Sequence, residues 1–334
     1  MKYEITQNTK VINDITLFQI KALKDFNNVK RNDLGGWIES EKNLSQENNC
    51  WISGNALVFD NALVYGDAWV FGDARVYGHA RVSENAWVFG DAQVFGDAEV
   101  YGDAEVSGDA RVSGNARVFE NAWVFDNARV SGNARVFENA WVFDNARVFG
   151  DAEVFGHAEV SDNARVSGHA EVYGHAWVSG NARVYGHAWV SGNARVYGHA
   201  EVYGDARVSD NARVYENAEV SGDARVYGDA QVYGDALVYG DAQVFGDAQV
   251  FGDAQVFGDA WATSPLYIQG TRHSISVSSH IEVSIGCKHH TIDYWLKNYA
   301  KIGKNNNYTE KQINEYKLLL DMVKTWMENN ISKK

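Results

Sequence analysis

Alanine returns at every sixth position from Ala56 to Ala260, 35 times without a miss. Valine keeps the same beat from Val58 to Val256, 34 times, after Ile52 in the same phase. Written from the valine, each hexad reads V-[FYS]-[GED]-[DNH]-A-x, with x being Arg, Trp, Glu, Gln or Leu. A helix is excluded, because a period of six scatters the apolar residues around its axis and each interior glycine costs about 1 kcal/mol. In a short strand, alternation sends x outward, Val inward and the following aromatic or Ser outward. Gly followed by Asp, Asn or His is turn chemistry. The alanine then points inward beside a corner, where only a small side chain fits. Short strands and corners of one constant length predict a solenoid with flat faces.

Three hexads per turn make a triangular coil of eighteen residues, and 35 hexads make about twelve coils. Residues 110–127, ARVSGNARVFENAWVFDN, recur unchanged at 128–145, as two successive coils would. The twelve residues AWVSGNARVYGH at 176–187 also recur, at 188–199. The duplicating unit is therefore the hexad, and the repeat alone leaves the number per turn open.

Composition marks the ends of the array. From Trp51 to Ala260 there is no Lys, Thr, Pro or Cys, and 26 of the 31 glycines fall there. The chain divides into an N-terminal cap (1–50), a repeat body (51–262) and a C-terminal cap (263–334). The body carries 13 Arg against 31 Asp and Glu, while the whole chain has a formal charge of −14. Such a surface repels phosphates, so direct nucleic-acid binding is not expected. The same charge fits either solvation or mimicry of a nucleic acid. Cys50 and Cys287 sit at opposite ends, with no disulfide framework, as in a reducing cytoplasm. The start MKYEITQNTK lacks an apolar stretch like that of a signal peptide, and no run is long enough to span a bilayer.

A stack of coils exposes strand edges at both ends and has to cover them. ITLFQIKALKDF in the head reads as strands over the first coil, and 266–285 as irregular strands after the last. TIDYWLKNYAKI (291–302) places Ile292, Trp295, Leu296 and Tyr299 on one helical face, with Gly303 as C-cap. TEKQINEYKLLLDMVKTWMENN opens with a capping box from Thr309 to Gln312 and buries Ile313, Tyr316, Leu320, Val323 and Met327. Both helices are expected against the last coils.

The unit V-x-G-D-A-x resembles the hexapeptide repeat [LIV]-[GAED]-x-x-[STAV]-x of left-handed parallel β-helices, with Val58 and Ala62 at its two inward positions. LGGWIESEKNLSQENNCWISGNA (34–56) and SPLYIQGTRHSISVSSHIEVSIGCKHHTIDYWL (264–296) look like the head and tail of YdcK-like hexapeptide-repeat proteins of bacteria and prophages. The resemblance implies an all-β solenoid wound with the left hand. It also implies an acyltransferase label, with acetyl-CoA or another acyl-CoA as the donor.

If side chains eighteen apart stack, one outer face shows Trp69, Trp87, Trp123, Trp141 and Trp177, interrupted by Glu105 and Glu159. Phe71, Phe89, Phe125 and Phe143 lie beside the first four tryptophans. A flat face so rich in aromatic atoms suits docking to another copy, a protein or a flat sugar, although stacked aromatics also stabilise rungs. A second face carries Arg75, Arg111, Arg129, Arg147, Arg165 and Arg183, expected to be solvated and paired with nearby Glu. His79, His157, His169, His175, His187 and His199 occupy corners. His157 would stack on His175 and His169 on His187, in a turn role, and no metal site is expected. Cys287, His289 and His290, with His273 and His280 upstream, form the densest reactive cluster, for which a structural use at the strand-to-helix junction is the simplest account.

The motifs of phosphate loops, serine hydrolases and zinc proteases are absent. The hexads also run without the protruding loop that hexapeptide acyltransferases place between subunits. The sequence therefore points first to a non-enzymatic scaffold without a cofactor, self-associating or holding a bacterial protein partner, in a bacterial or phage-infected cytoplasm. The alternative is acyl transfer at a subunit groove, with His290 or a corner histidine as base and Cys287 and His289 beside it. A third reading is an acidic rod that mimics nucleic acid.

Overall fold

A computed structural model describes residues 1–331. The chain divides into two compact units, Met1–His187 and from Ala188 onward, and the boundary falls inside the repeats.

The first unit opens with β1 (Tyr3–Ile12) and β2 (Ile15–Ala22), paired antiparallel, and β3 (Leu34–Ile38), antiparallel to β2. β3 then pairs in parallel with the first rung of its sheet, Trp37 against Leu57 and Ile38 against Val58. From there each hexad contributes a two-residue strand. The strand Trp87–Val88 pairs with Glu105–Val106, Gln93–Val94 with Arg111–Val112, and Glu99–Val100 with Arg117–Val118, all parallel. Every partner lies eighteen residues away, so three hexads complete one turn and three parallel sheets form the faces. This settles the point that the twelve-residue duplication left open.

The valines and alanines of the repeat are buried throughout the unit. Backbone bonds rise from rung to rung, for example from Trp87 N–H to Ala104 O at 2.9 Å and from Asn85 N–H to Gly102 O at 2.9 Å. The corner needs a left-handed residue, and Gly102 supplies it with φ 73°. A Cβ there would stand 2.6 Å from the backbone nitrogen of Glu120. Glu120 itself tolerates φ 58°, which explains why Glu and Asp alternate with Gly at this position.

Below the first coil, Lys2 is fully buried. Its ammonium donates to Cys50 O at 2.8 Å and to Glu47 O at 3.1 Å, and lies 3.1 Å from Cys50 Sγ. Burial pushes the Lys2 amine down and the Cys50 thiol up. Trp51, in phase with the tryptophan ladder, is covered here by an edge-on contact from Phe26 at 5.4 Å.

The second unit repeats the same geometry: Trp189 pairs with Arg207 and Arg195 with Arg213 in parallel register. Its tail folds into four antiparallel strands, β4 (Tyr267–Gln269), β5 (Ser274–Val277), β6 (Glu282–Ile285) and β7 (Lys288–Thr291). Two helices follow, α1 (Ile292–Asn305) and α2 (Glu310–Asn330). The Thr309–Gln312 capping box forms, and Ile313, Tyr316, Leu320, Val323 and Met327 are buried as their spacing predicts. The helices pack on this small sheet rather than on the coils alone: Trp295 Nε1 donates to Val283 O at 2.7 Å, and the Tyr316 hydroxyl meets both the N–H and the carbonyl of His273. Gly303 does not cap α1. It lies inside the helix, where a Cβ would come within 2.8 Å of Ile313 Cγ1, and Asn306 is the C-cap. Close approach of the two helices, not helix termination, calls for glycine there.

Candidate functional site

The first unit presents the tryptophan ladder as one continuous strip. Trp69, Trp87, Glu105, Trp123, Trp141, Glu159 and Trp177 follow one another in register on one sheet. Trp123 and Trp141 stack at 5.4 Å and 6° between ring planes. Phe71 stacks on Phe89 at 4.8 Å and Phe125 on Phe143 at 5.0 Å. The edges of Phe71 and Phe125 meet Trp87 and Trp141 and hold those indoles in place. Trp87 keeps 46% of its surface exposed, Trp123 and Trp141 40% and Trp177 39%, so the ladder does not hide its rings.

A groove runs beside these tryptophans, between them and the corner column of Asp, Asn and His. Its largest section, about 570 Å³, is lined by Trp123, Trp141, Asn139, His157, Glu159 and His175. Sections toward the first coil are bounded by Asp67, Trp69 and Asn85, and by Trp87, Asp103 and Glu105. His157 and His175 stack at 4.9 Å. Their neighbours His169 and His187 stack at 4.8 Å, with Asp151 3.9 Å from His169. Among the described residues no group of three His, Cys, Asp or Glu is placed to hold a metal.

The arginine face differs from expectation. Arg111, Arg129, Arg147 and Arg165 pair with one another in register, so none has a carboxylate on the next rung. Glutamate partners are seen on the third face: Arg81 and Arg117 flank Glu99 at 3.3 and 3.4 Å, and Arg135 meets Glu153 at 2.9 Å. That face borders a third aromatic column that the sequence reading passed over, Tyr101, Phe119, Phe137, Phe155 and Tyr173, stacked at 4.9 to 5.0 Å. The same eighteen-residue spacing would have revealed it.

In the second unit the Cys/His cluster is spread out. Strand alternation in β7 sends His289 and His290 to opposite faces. His289 Nδ1 lies 2.7 Å from Ser284 Oγ, while His290 packs on Tyr294 and Trp295. Cys287 is exposed and borders a cavity of about 90 Å³ with His273, Tyr299, Tyr308, Tyr316 and Leu320. Burial pushes the Tyr308 hydroxyl up to about 12. His280 sits against Trp261, with Nδ1 3.4 Å from Asp259. Among the described residues no hydrogen bond links Cys287 to a histidine. Among the described residues no helix is long and apolar enough to cross a membrane.

Comparison with known proteins fits the repeat geometry. A family described as "YdcK Beta solenoid repeat" matches residues 74–90, 110–126, 128–142, 176–192, 200–216, 206–220 and 230–246, together under a third of the chain. A segment of 39 residues is 51% identical to the "Uncharacterized acetyltransferase YdcK" of Escherichia coli strain K12, covering 12% of this chain and 12% of that protein. The chain is thus a parallel β-solenoid whose repeats are similar to those of an acetyltransferase-named relative.

Proposed function

We propose that the chain is an acyl-CoA-dependent acyltransferase of the hexapeptide-repeat kind, working at the groove along the tryptophan face. The supporting observation is that His157 and His175 line the same groove as Trp123, Trp141 and Glu159, on repeats similar to those of an acetyltransferase-named protein. In this reading a neutral imidazole removes the proton of an acceptor amine or hydroxyl as it attacks the thioester carbonyl. The tetrahedral intermediate collapses, the CoA thiolate leaves and the acyl group stays on the acceptor. His290 in the tail, with Cys287 and His289 near it in sequence, is the second candidate base.

Release of free thiol from acetyl-CoA in the presence of small amine and alcohol acceptors tests this. Loss of release in the His157→Asn/His175→Asn double variant, with its far-ultraviolet dichroism intact, supports the groove. Loss only in His290→Asn moves the chemistry to the tail. Absence of protein-dependent release, with no thermal protection at millimolar acetyl-CoA, rejects the enzymatic reading.

The exposure of Trp87, Trp123, Trp141 and Trp177 favours a second reading, a rigid scaffold that self-associates or holds a protein through this face. Exposed aromatic side chains gathered on one face mark interaction sites on folded proteins. Light scattering decides: an assembly that dissociates in Trp123→Ser/Trp141→Ser supports it, and a strict monomer at all concentrations removes it.

A further inference from the structure

The tryptophan ladder breaks twice, at the half-buried Glu105 and at the exposed Glu159. Glu105 lies in register between Trp87 and Trp123, and Glu159 between Trp141 and Trp177. The neighbouring phenylalanine column breaks at Ser107 and ends at Ser161 and Ser179, and Trp177 Nε1 donates to Ser161 Oγ at 3.2 Å. Each interruption therefore sets a carboxylate between indoles on the rungs above and below. Two rungs separate the flanking rings, about 9.6 Å at the usual strand spacing. Tryptophans on consecutive rungs, such as Trp123 and Trp141 at 5.4 Å, leave no such room.

That separation suits a cation. A charge midway sits about 4.8 Å from each ring, inside the roughly 6 Å range of cation–π attraction. Glu105 is half-buried and, among the described residues, has no basic partner. Burial holds its carboxyl above the usual carboxylate range. The space beside it, about 230 Å³ and lined by Asn85, Trp87, Asp103 and Glu105, is smaller than a drug-sized pocket of about 300–1,000 Å³ and fits a compact group. A hard metal ion is disfavoured, because it needs several oxygen ligands and among the described residues no group of three His, Cys, Asp or Glu is placed to hold one. A bare ammonium keeps its tightly held water, whereas an alkylated one is already apolar at its surface.

We propose that Trp87, Glu105 and Trp123, and again Trp141, Glu159 and Trp177, are clamps for an alkylated ammonium group. The two sites stand three rungs apart, about 14 Å, so a ligand carrying two such groups at that spacing engages both. This inference stands apart from acyl transfer and from self-association, and its test reads neither.

Choline is the probe, and its uncharged isostere 3,3-dimethylbutan-1-ol the control. Titration followed by tryptophan emission and calorimetry is expected to give two choline sites, with the alcohol at least about tenfold weaker. Glu105→Gln weakens one site about tenfold. Glu105→Trp continues the ladder, fills the slot and halves the stoichiometry, and its far-ultraviolet dichroism reports an intact fold. The proposal is overturned if choline produces no saturable response, if the alcohol binds equally well, or if two choline sites survive in folded Glu105→Trp.

Discussion

The indole of Trp123 lies parallel to that of Trp141, 5.4 Å away ring to ring and eighteen residues earlier in the chain. Two coupled indoles give an exciton couplet near 225 nm. Trp123→Phe and Trp141→Phe are each expected to remove it. The lost stacking costs about 0.5–1.5 kcal/mol, measured by denaturant unfolding, and the valine–alanine interior is left intact.

Because residues 128–145 copy 110–127, their deletion removes one whole coil and rejoins identical surfaces. The shortened protein should keep its dichroism and unfold within a few degrees of the parent, since stability is close to a sum of nearest-neighbour terms. Deleting only 128–133 shifts every later hexad by one face and brings Trp141 into register with Arg117. That variant should lose several stacked pairs at about 0.5–1.5 kcal/mol each. Equal stability of the two deletions would contradict the ladders' energetic role.

Gly102 and Glu120 occupy the same corner position on successive coils with φ 73° and 58°. Gly102→Ala puts a Cβ against the Glu120 nitrogen and should destabilise by about 1–3 kcal/mol. Glu120→Gly relieves left-handed strain but removes the bond from Glu138 N–H to Glu120 Oε2 at 3.0 Å, and should cost less than Gly102→Ala. Thermal melts of both variants check the asymmetry.

Lys2 and Cys50 make the cap testable by thiol chemistry. Cys287 is exposed and Cys50 buried, so a thiol reagent should label one group in the native protein. Lys2→Met leaves the carbonyls of Glu47 and Cys50 without their donor, at about 1–3 kcal/mol each. Faster labelling of Cys50 should report the loosened cap.

Alkaline pH should weaken the tail. Tyr308 is raised to about 12 from an ordinary 10.0, so its contribution is complete below pH 10 and is lost as pH rises toward 12. The unfolded chain releases that proton first. Unfolding midpoints of the parent should fall over this window, and more steeply than those of Tyr308→Phe.

Much of this architecture was legible in the chain because spacing alone carries it. A strict period of six with Val and Ala at fixed phases fixes what points inward, and eighteen-residue stacking then places every outer ladder. The capping box at Thr309 was readable for the same local reason. What escaped depended on contacts between distant parts. Gly303 looked like a helix terminator and proved to be a contact point for Ile313. Nothing local marks Lys2 for burial, because its partners Glu47 and Cys50 lie more than forty residues along the chain. The Arg–Glu pairs were predictable in principle, since Arg81, Glu99 and Arg117 alternate at eighteen, whereas Arg111, Arg129 and Arg147 offer one another only like charge. Glu105 and Glu159 read as gaps, and only the paired breaks in Trp and Phe columns show them as slots.

The antiparallel hairpin of β1 and β2 has a consequence beyond the fold of one molecule. A stack of near-identical parallel rungs is, in its hydrogen bonding, the cross-section of a fibril, and each free end is a template for the next chain. Folding the entry segment back on itself covers that end of one sheet with two long antiparallel strands in place of a further two-residue rung, with a lysine buried beside them. A further chain finds no matching rung to extend on that face.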